Sequence, residues 1–126
     1  AIDGGAMRIG HGVHLSLDEE SVKKAIDNDI LFEICPTSNL QTKSLAKYDN
    51  VPLRKFMERG IAVSINSDNM TVSNVNEIDD MKQMIKTFDL SKDEVYKLYE
   101  NAVKNNAEMV HFFCGLAVNI SACLRA

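Results

Sequence analysis

Three short apolar runs, "MRIGHG" at 7–12, "ILFEICP" at 30–36 and "IAVSIN" at 61–66, alternate with longer stretches whose apolar residues recur at helical spacing. Runs of that length, bounded by glycine, proline or asparagine, predict strands. The intervening "LDEESVKKAIDND" predicts an amphipathic helix, with acids in its first turn and Val22, Ala25 and Ile26 on one face. Pro36 cannot donate to a ladder and ends the second strand. "TSNLQTKSLAKYDN" then reads as a polar connection. In "VPLRKFMERG", Pro52 stands near a helix start, Leu53, Phe56 and Met57 form a stripe, and Gly60 stands at the C-terminal cap.

Two more helices are expected after the third strand. The first carries Met81, Met84, Ile85 and Phe88 at core spacing. The second opens with the capping box Ser91-x-x-Glu94, ahead of Val95, Leu98, Tyr99, Ala102 and Val103. Strands joined through helices are expected to run parallel, and their almost wholly apolar composition fits burial on both faces. The fold class is therefore α/β.

Parallel sheets place their ligands at the C-terminal ends of the strands. Three unusual stretches fall there and should share a site: Gly10-His11-Gly12, Cys35-Pro36-Thr37-Ser38-Asn39 and Ser67-Asp68-Asn69. Glycine tolerates strained backbone and close approach, so a histidine between two glycines suits a ligand, although a hydrogen-bonded turn histidine has the same look. An imidazole meeting the Asp68 carboxylate at such a rim suits metal binding or proton transfer; the alternative for Asp68 is a cap on the backbone amides of its own loop. His14 reads as a loop residue bonding the backbone, and His111, in "MVHFF", as packing or capping. Cys35 reads as a small buried hydrophobe before a nucleophile.

The composition narrows this picture. A chain of 126 residues, 45% apolar and 25% charged, suits one globular domain with a modest core. A net charge of -4 offers no basic field for nucleic acid. Cys35, Cys114 and Cys123 show neither CxxC spacing nor an even count, which favours a reducing cytoplasm over a disulfide framework or a thiolate zinc site. No apolar stretch has the length of a membrane span. The first residue is Ala1, and the expectation is that sequence is missing upstream.

In that order and at those separations, "RIGHGVH", "FEICPTSN" and "VSINSDNMTVSN" resemble the C-terminal third of the adenosine deaminase family. The resemblance implies the last three strands, with flanking helices, of an incomplete (β/α)8 TIM barrel over residues 1–112, and a tail of unclear origin over 113–126. It implies that His11 is the catalytic histidine that orients a metal-bound hydroxide, that Asp68 ligates zinc, and that Asn69 contacts the purine where many members carry a second aspartate. Gly10 before the histidine resembles adenosine deaminases, whereas adenine deaminases tend to place an acid there. The implied reaction is hydrolytic deamination of adenosine or 2′-deoxyadenosine, a small-molecule purine nucleoside, to inosine or 2′-deoxyinosine and ammonia. Adenine or AMP deaminase is the neighbouring alternative.

The family's His-x-His pair, its further metal histidine and its His-Ala-Gly-Glu segment do not occur among these residues. One aspartate falls short of the three protein ligands usual in catalytic zinc sites, so the chain by itself is expected to lose zinc and to be inactive. A third of a barrel also leaves unpaired strand edges, which invite self-association; a non-catalytic associating fragment is thus the second reading. "CGLAVNISACLRA" does not resemble the family's charged closing helix.

Overall fold

The computed structural model describes residues 2–15, 18–69 and 74–104. Its centre is a parallel three-stranded sheet in the order β1-β2-β3: β1 is Arg8–Gly10, β2 Leu31–Ile34 and β3 Ala62–Ile65. The helices are α1 (Glu19–Asp27), α2 (Pro36–Gln41), α3 (Leu53–Glu58), α4 (Glu77–Phe88) and α5 (Lys92–Lys104), with short 3-10 turns at Ile2–Gly4 and Tyr48–Asn50. The βα rhythm expected from the sequence is present.

Parallel pairing follows from the connections, since each strand returns through a helix. Register is close: Gly10 pairs with Glu33 and Ile34 with Ile65. Alternation along β2 and β3 sends Phe32, Ile34, Val63 and Ile65 into one core with Leu53, Phe56, Met84, Val95 and Leu98. The Phe32 and Phe56 rings meet edge to face, with centroids 5.5 Å apart and planes at 64°. An ion pair between Arg8 and Glu33 joins β1 to β2.

The helix ends explain the boundaries. Asp18 caps α1 by accepting from the Ser21 amide at 2.9 Å, and Asn76 caps α4 by accepting from the Asp79 amide at 3.0 Å. The capping box of α5 forms in both directions, Ser91 amide to Glu94 carboxylate at 2.8 Å and Glu94 amide to Ser91 hydroxyl at 3.3 Å. Gly60, after α3, holds the left-handed φ of 76° that glycine tolerates.

Three expectations need correction. The stretch read as a polar connection opens with a helix: Pro36 starts α2 at the first position, where its missing N–H costs nothing, and Thr37, Ser38 and Asn39 are buried. Ile26, expected on the buried face of α1, is exposed; Val22 and Ala25 alone are buried there, because the nine-residue helix presents only a narrow stripe to the sheet. The strands also end sooner than the apolar runs suggest, since His11 and Gly12 turn left-handed directly after Gly10. The division at 112/113, the tail, His111, Cys114 and Cys123 lie outside the described residues. Among the described residues no helix is long and apolar enough to cross a membrane.

Candidate active site

The ladder continues one residue beyond the strand ends. The His11 amide donates to the Glu33 carbonyl at 2.8 Å, and the Asn66 amide donates to the Ile34 carbonyl at 2.9 Å. The loops bearing His11 and Asp68 therefore leave the same edge of the sheet, one on either side of the central strand. His11 Nε2 lies 3.9 Å from Asp68 Oδ2.

The helix after the central strand touches both. Asn39 Oδ1 lies 2.8 Å from His11 Nδ1, and the Ser38 hydroxyl donates to Asp68 Oδ2 at 2.8 Å. With Asn39 Oδ1 as the acceptor, Nδ1 is the protonated ring nitrogen, and a neutral His11 presents the Nε2 lone pair toward Asp68. The amide nitrogen Nδ2 of Asn39, a residue 1% exposed, is buried without a hydrogen-bond partner among the described residues. A buried donor left unsatisfied is uncommon and expensive; Asn39 is fixed through its other groups, Oδ1 against His11 and the backbone amide donating to the Cys35 carbonyl at 2.9 Å.

The turn that follows β1 is strained. His11 has φ 62° and Gly12 φ 55°, two consecutive residues in the left-handed region. A non-glycine residue there costs about 1–3 kcal/mol, and such outliers cluster at functional sites. This answers why a histidine stands between glycines: the backbone must reverse at once, with Gly12 pressed against Phe32, to present the imidazole at the rim.

His11 and Asp68 side chains are 44% and 49% exposed, so both face solvent. They line a cleft of about 670 Å³ together with Ile9, Val13, Phe32 and Asn39. That size and mixed lining suit a small molecule with an apolar ring and a few polar groups. His14 is exposed at the mouth of this cleft. Asn69 is exposed beside Asp68 but is not among the residues lining the cleft. Cys35 is buried; burial first, then the charges of Asp68, Asp80 and Glu33, pushes its thiol up to about 12, which leaves it protonated and inert.

Among the described residues no three His, Cys, Asp or Glu side chains come together as a metal cage. Asp68 offers one carboxylate of the right chemistry for zinc, and these residues alone fall short of a catalytic zinc site. Sequence reasoning brought His11, Asp68 and the Cys35–Asn39 stretch to one rim. It assigned no part to Ser38, Asn39 or the buried Asp80, whose carboxylate accepts from Thr37. The available signal was Pro36 at a helix start, which makes the next turn rigid rather than loose.

Comparison with known proteins agrees with this fold. The adenosine deaminase family model matches residues 1–109. The adenosine deaminase of Vibrio atlanticus is 38% identical over 100 residues, covering 79% of this chain and 30% of that protein. That of Clostridium perfringens is 37% identical, with the same coverage. The chain thus spans about a third of the length of these relatives. Two solved structures share the fold: the adenine deaminase of Arthrobacter aurescens, with a TM-score of 0.77 at 22% identity over 95% of this chain and 37% of that one, and the N6-methyl-AMP deaminase of Arabidopsis thaliana, with a TM-score of 0.73 at 22% identity over 96% and 35%. Both cover a part of a larger barrel, as three strands must. The chain belongs to the adenosine deaminase family and carries part of its barrel.

Proposed function

We propose that residues 1–109 supply one side of an adenosine deaminase active site, with His11 as the catalytic histidine, Asp68 as a metal ligand and Asn69 as a contact to the purine. The observation that carries this reading is the approach of His11 Nε2 to within 3.9 Å of Asp68 Oδ2 at the C-terminal rim of a parallel sheet. The reaction is hydrolytic deamination of adenosine or 2′-deoxyadenosine in the complete barrel: water adds at the purine carbon bearing the amino group, and ammonia leaves.

The part played by these residues follows from their hydrogen bonds. With Nδ1 as the protonated nitrogen against Asn39 Oδ1, the opposite nitrogen of a neutral His11 takes a proton from the attacking water and later returns it. Ser38 occupies one lone pair of Asp68 Oδ2 and fixes the direction of the remaining ones. A zinc ion, when bound, lowers the pKa of water to about 7 and so supplies hydroxide near neutrality. Asp68 would be one of its ligands and the others would come from outside the described residues.

The outer edges of β1 and β3 pair with no other described strand. We assign them to the remainder of a barrel; association of copies through the same edges is the competing use. A small purine nucleoside as ligand, no nucleic-acid partner and a reducing cytoplasmic setting complete the proposal, supported by the net charge of -4 and the inert buried Cys35.

The test is a chimaera in which residues 1–109 replace the matching segment of the Vibrio atlanticus adenosine deaminase. Zinc-dependent conversion of adenosine to inosine, followed by absorbance, is the expected result, while the 126-residue chain alone should not turn over. A folded, zinc-loaded chimaera that deaminates only adenine or AMP, or nothing, would overturn the assignment.

A further inference from the structure

The cleft holds its two reactive groups from one short helix, and that helix has no cap of its own. Cys35, at its N-cap position, makes no side-chain cap hydrogen bond. The first-turn donors are satisfied from elsewhere: both the amide and the hydroxyl of Thr37 donate to Asp80 Oδ1, at 3.1 and 2.6 Å. Because the single hydroxyl hydrogen of Thr37 goes to Asp80, the 3.0 Å contact between Thr37 Oγ1 and Tyr48 must be donated by the tyrosine. The result is a directed chain, Tyr48 to Thr37 to Asp80.

Asp80 lies in the first turn of α4 and is 2% exposed. A carboxylate buried that deeply is a poor way to gain stability, because desolvation consumes much of what its hydrogen bonds return. Its location says what it does. Thr37 is followed directly by Ser38, which holds Asp68, and Asn39, which holds His11. Fixing Thr37 fixes the azimuth of the helix and with it both contacts, including the placement of an asparagine whose own amide nitrogen is left unsatisfied among the described residues.

We propose that Asp80 is a positioning residue for the His11–Asp68 pair, capping α2 from another helix so that Asn39 stays against the His11 ring. The inference rests on the reading of His11 and Asp68 as the catalytic pair, but its test does not use activity. In the 15N-labelled 126-residue chain, at mildly alkaline pH above the ordinary histidine value, the ring nitrogen shifts of His11 report which nitrogen carries the proton. The wild-type chain should show the Nδ1–H form. Asp80→Ala should shift His11 toward the Nε2–H form while circular dichroism stays unchanged, and Asp80→Asn, which keeps an acceptor oxygen for Thr37, should restore Nδ1–H. Thr37→Val removes the hydroxyl's bond to Asp80 and the one it accepts from Tyr48, keeps the amide's bond to Asp80 and touches no charge; it should produce a partial shift, and decides the matter if Asp80→Ala does not fold. An unaltered His11 signature in folded Asp80→Ala or in Thr37→Val, or equal loss in Asp80→Asn and Asp80→Ala, would overturn the proposal. If the signature moves as expected while the chimaera is inactive, the brace stands and the deaminase reading falls.

Discussion

Gly12 lies so close to the Phe32 ring that a β-carbon on it would come within 2.4 Å of Phe32 Cδ1 and 3.0 Å of Cε1. The same residue has a φ of 55°, so a side chain there meets both a collision and a disfavoured backbone. Gly12→Ala should destabilise the chain by roughly 2–4 kcal/mol, about 1–2 from the left-handed backbone and the rest from overpacking. Denaturant midpoints check this. Pairing it with Phe32→Leu should cost less than the sum of the two single changes, because the collision is shared between them. Strict additivity would show that the ring yields freely and that the clash carries no cost.

Phe56 is fully buried and meets Phe32 edge to face. It links α3 to the strand whose ring presses on Gly12, so the core and the rim share one contact chain. Phe56→Ala should cost about 3–5 kcal/mol, a large part of what a domain of this size has to spare. Phe56→Leu keeps most of the volume and should cost less than about 1.5 kcal/mol. Thermal unfolding of the two variants separates cavity formation from loss of the ring pair.

The pattern of apolar residues revealed β2 and β3 because they are buried and mostly apolar, while β1, with Arg8 and Ile9 half-buried and Gly10 exposed, was marked by the glycines that end it; the pattern revealed α5 because Ser91 and Glu94 form a local cap that needs no partner from elsewhere. Convergence of His11 and Asp68 was legible for the same kind of reason, since the ends of parallel strands share an edge whatever the side chains are. Helix α2 was hidden because its stabilisation is not local: the cap comes from Asp80, 43 residues beyond Thr37, and no window of sequence contains both. Ile26 misled because helical spacing says which residues share a face, not how wide a face the sheet will cover.

Arg54 joins three elements. Its guanidinium pairs with Glu94 and donates to the Phe88 carbonyl at 2.7 Å, tying α3 to the end of α4 and the start of α5. The Ser91 amide, and after it the Arg54 guanidinium, hold the Glu94 carboxyl below the usual glutamate value. A carboxyl whose folded pKa lies below its unfolded one stabilises the fold fully above the unfolded value, and that contribution is lost as pH falls through the folded value. Glu94→Gln should therefore shrink the difference in melting temperature between neutral and acidic solution, at a cost near neutrality of about 1 kcal/mol or less. An acid limb as steep in Glu94→Gln as in the parent chain would show that other carboxyls set it.

Ser38 and Asp68 allow metal ligation to be separated from proton transfer within the chimaeric barrel. Asp68→Ala deletes a ligand and should remove zinc and activity together, whereas His11→Ala should remove most activity and leave the zinc content unchanged. Ser38→Ala takes away only the hydroxyl that orients Asp68 Oδ2. It should weaken zinc affinity by about 10- to 100-fold, the range typical of partners that orient a ligand, and activity should recover when zinc is supplied in excess. Zinc content measured by mass spectrometry alongside adenosine turnover distinguishes the three. Zinc retained in Asp68→Ala would remove this carboxylate from the ligand set, and the 3.9 Å approach of His11 would then describe a proton-transfer pair without a metal ligand.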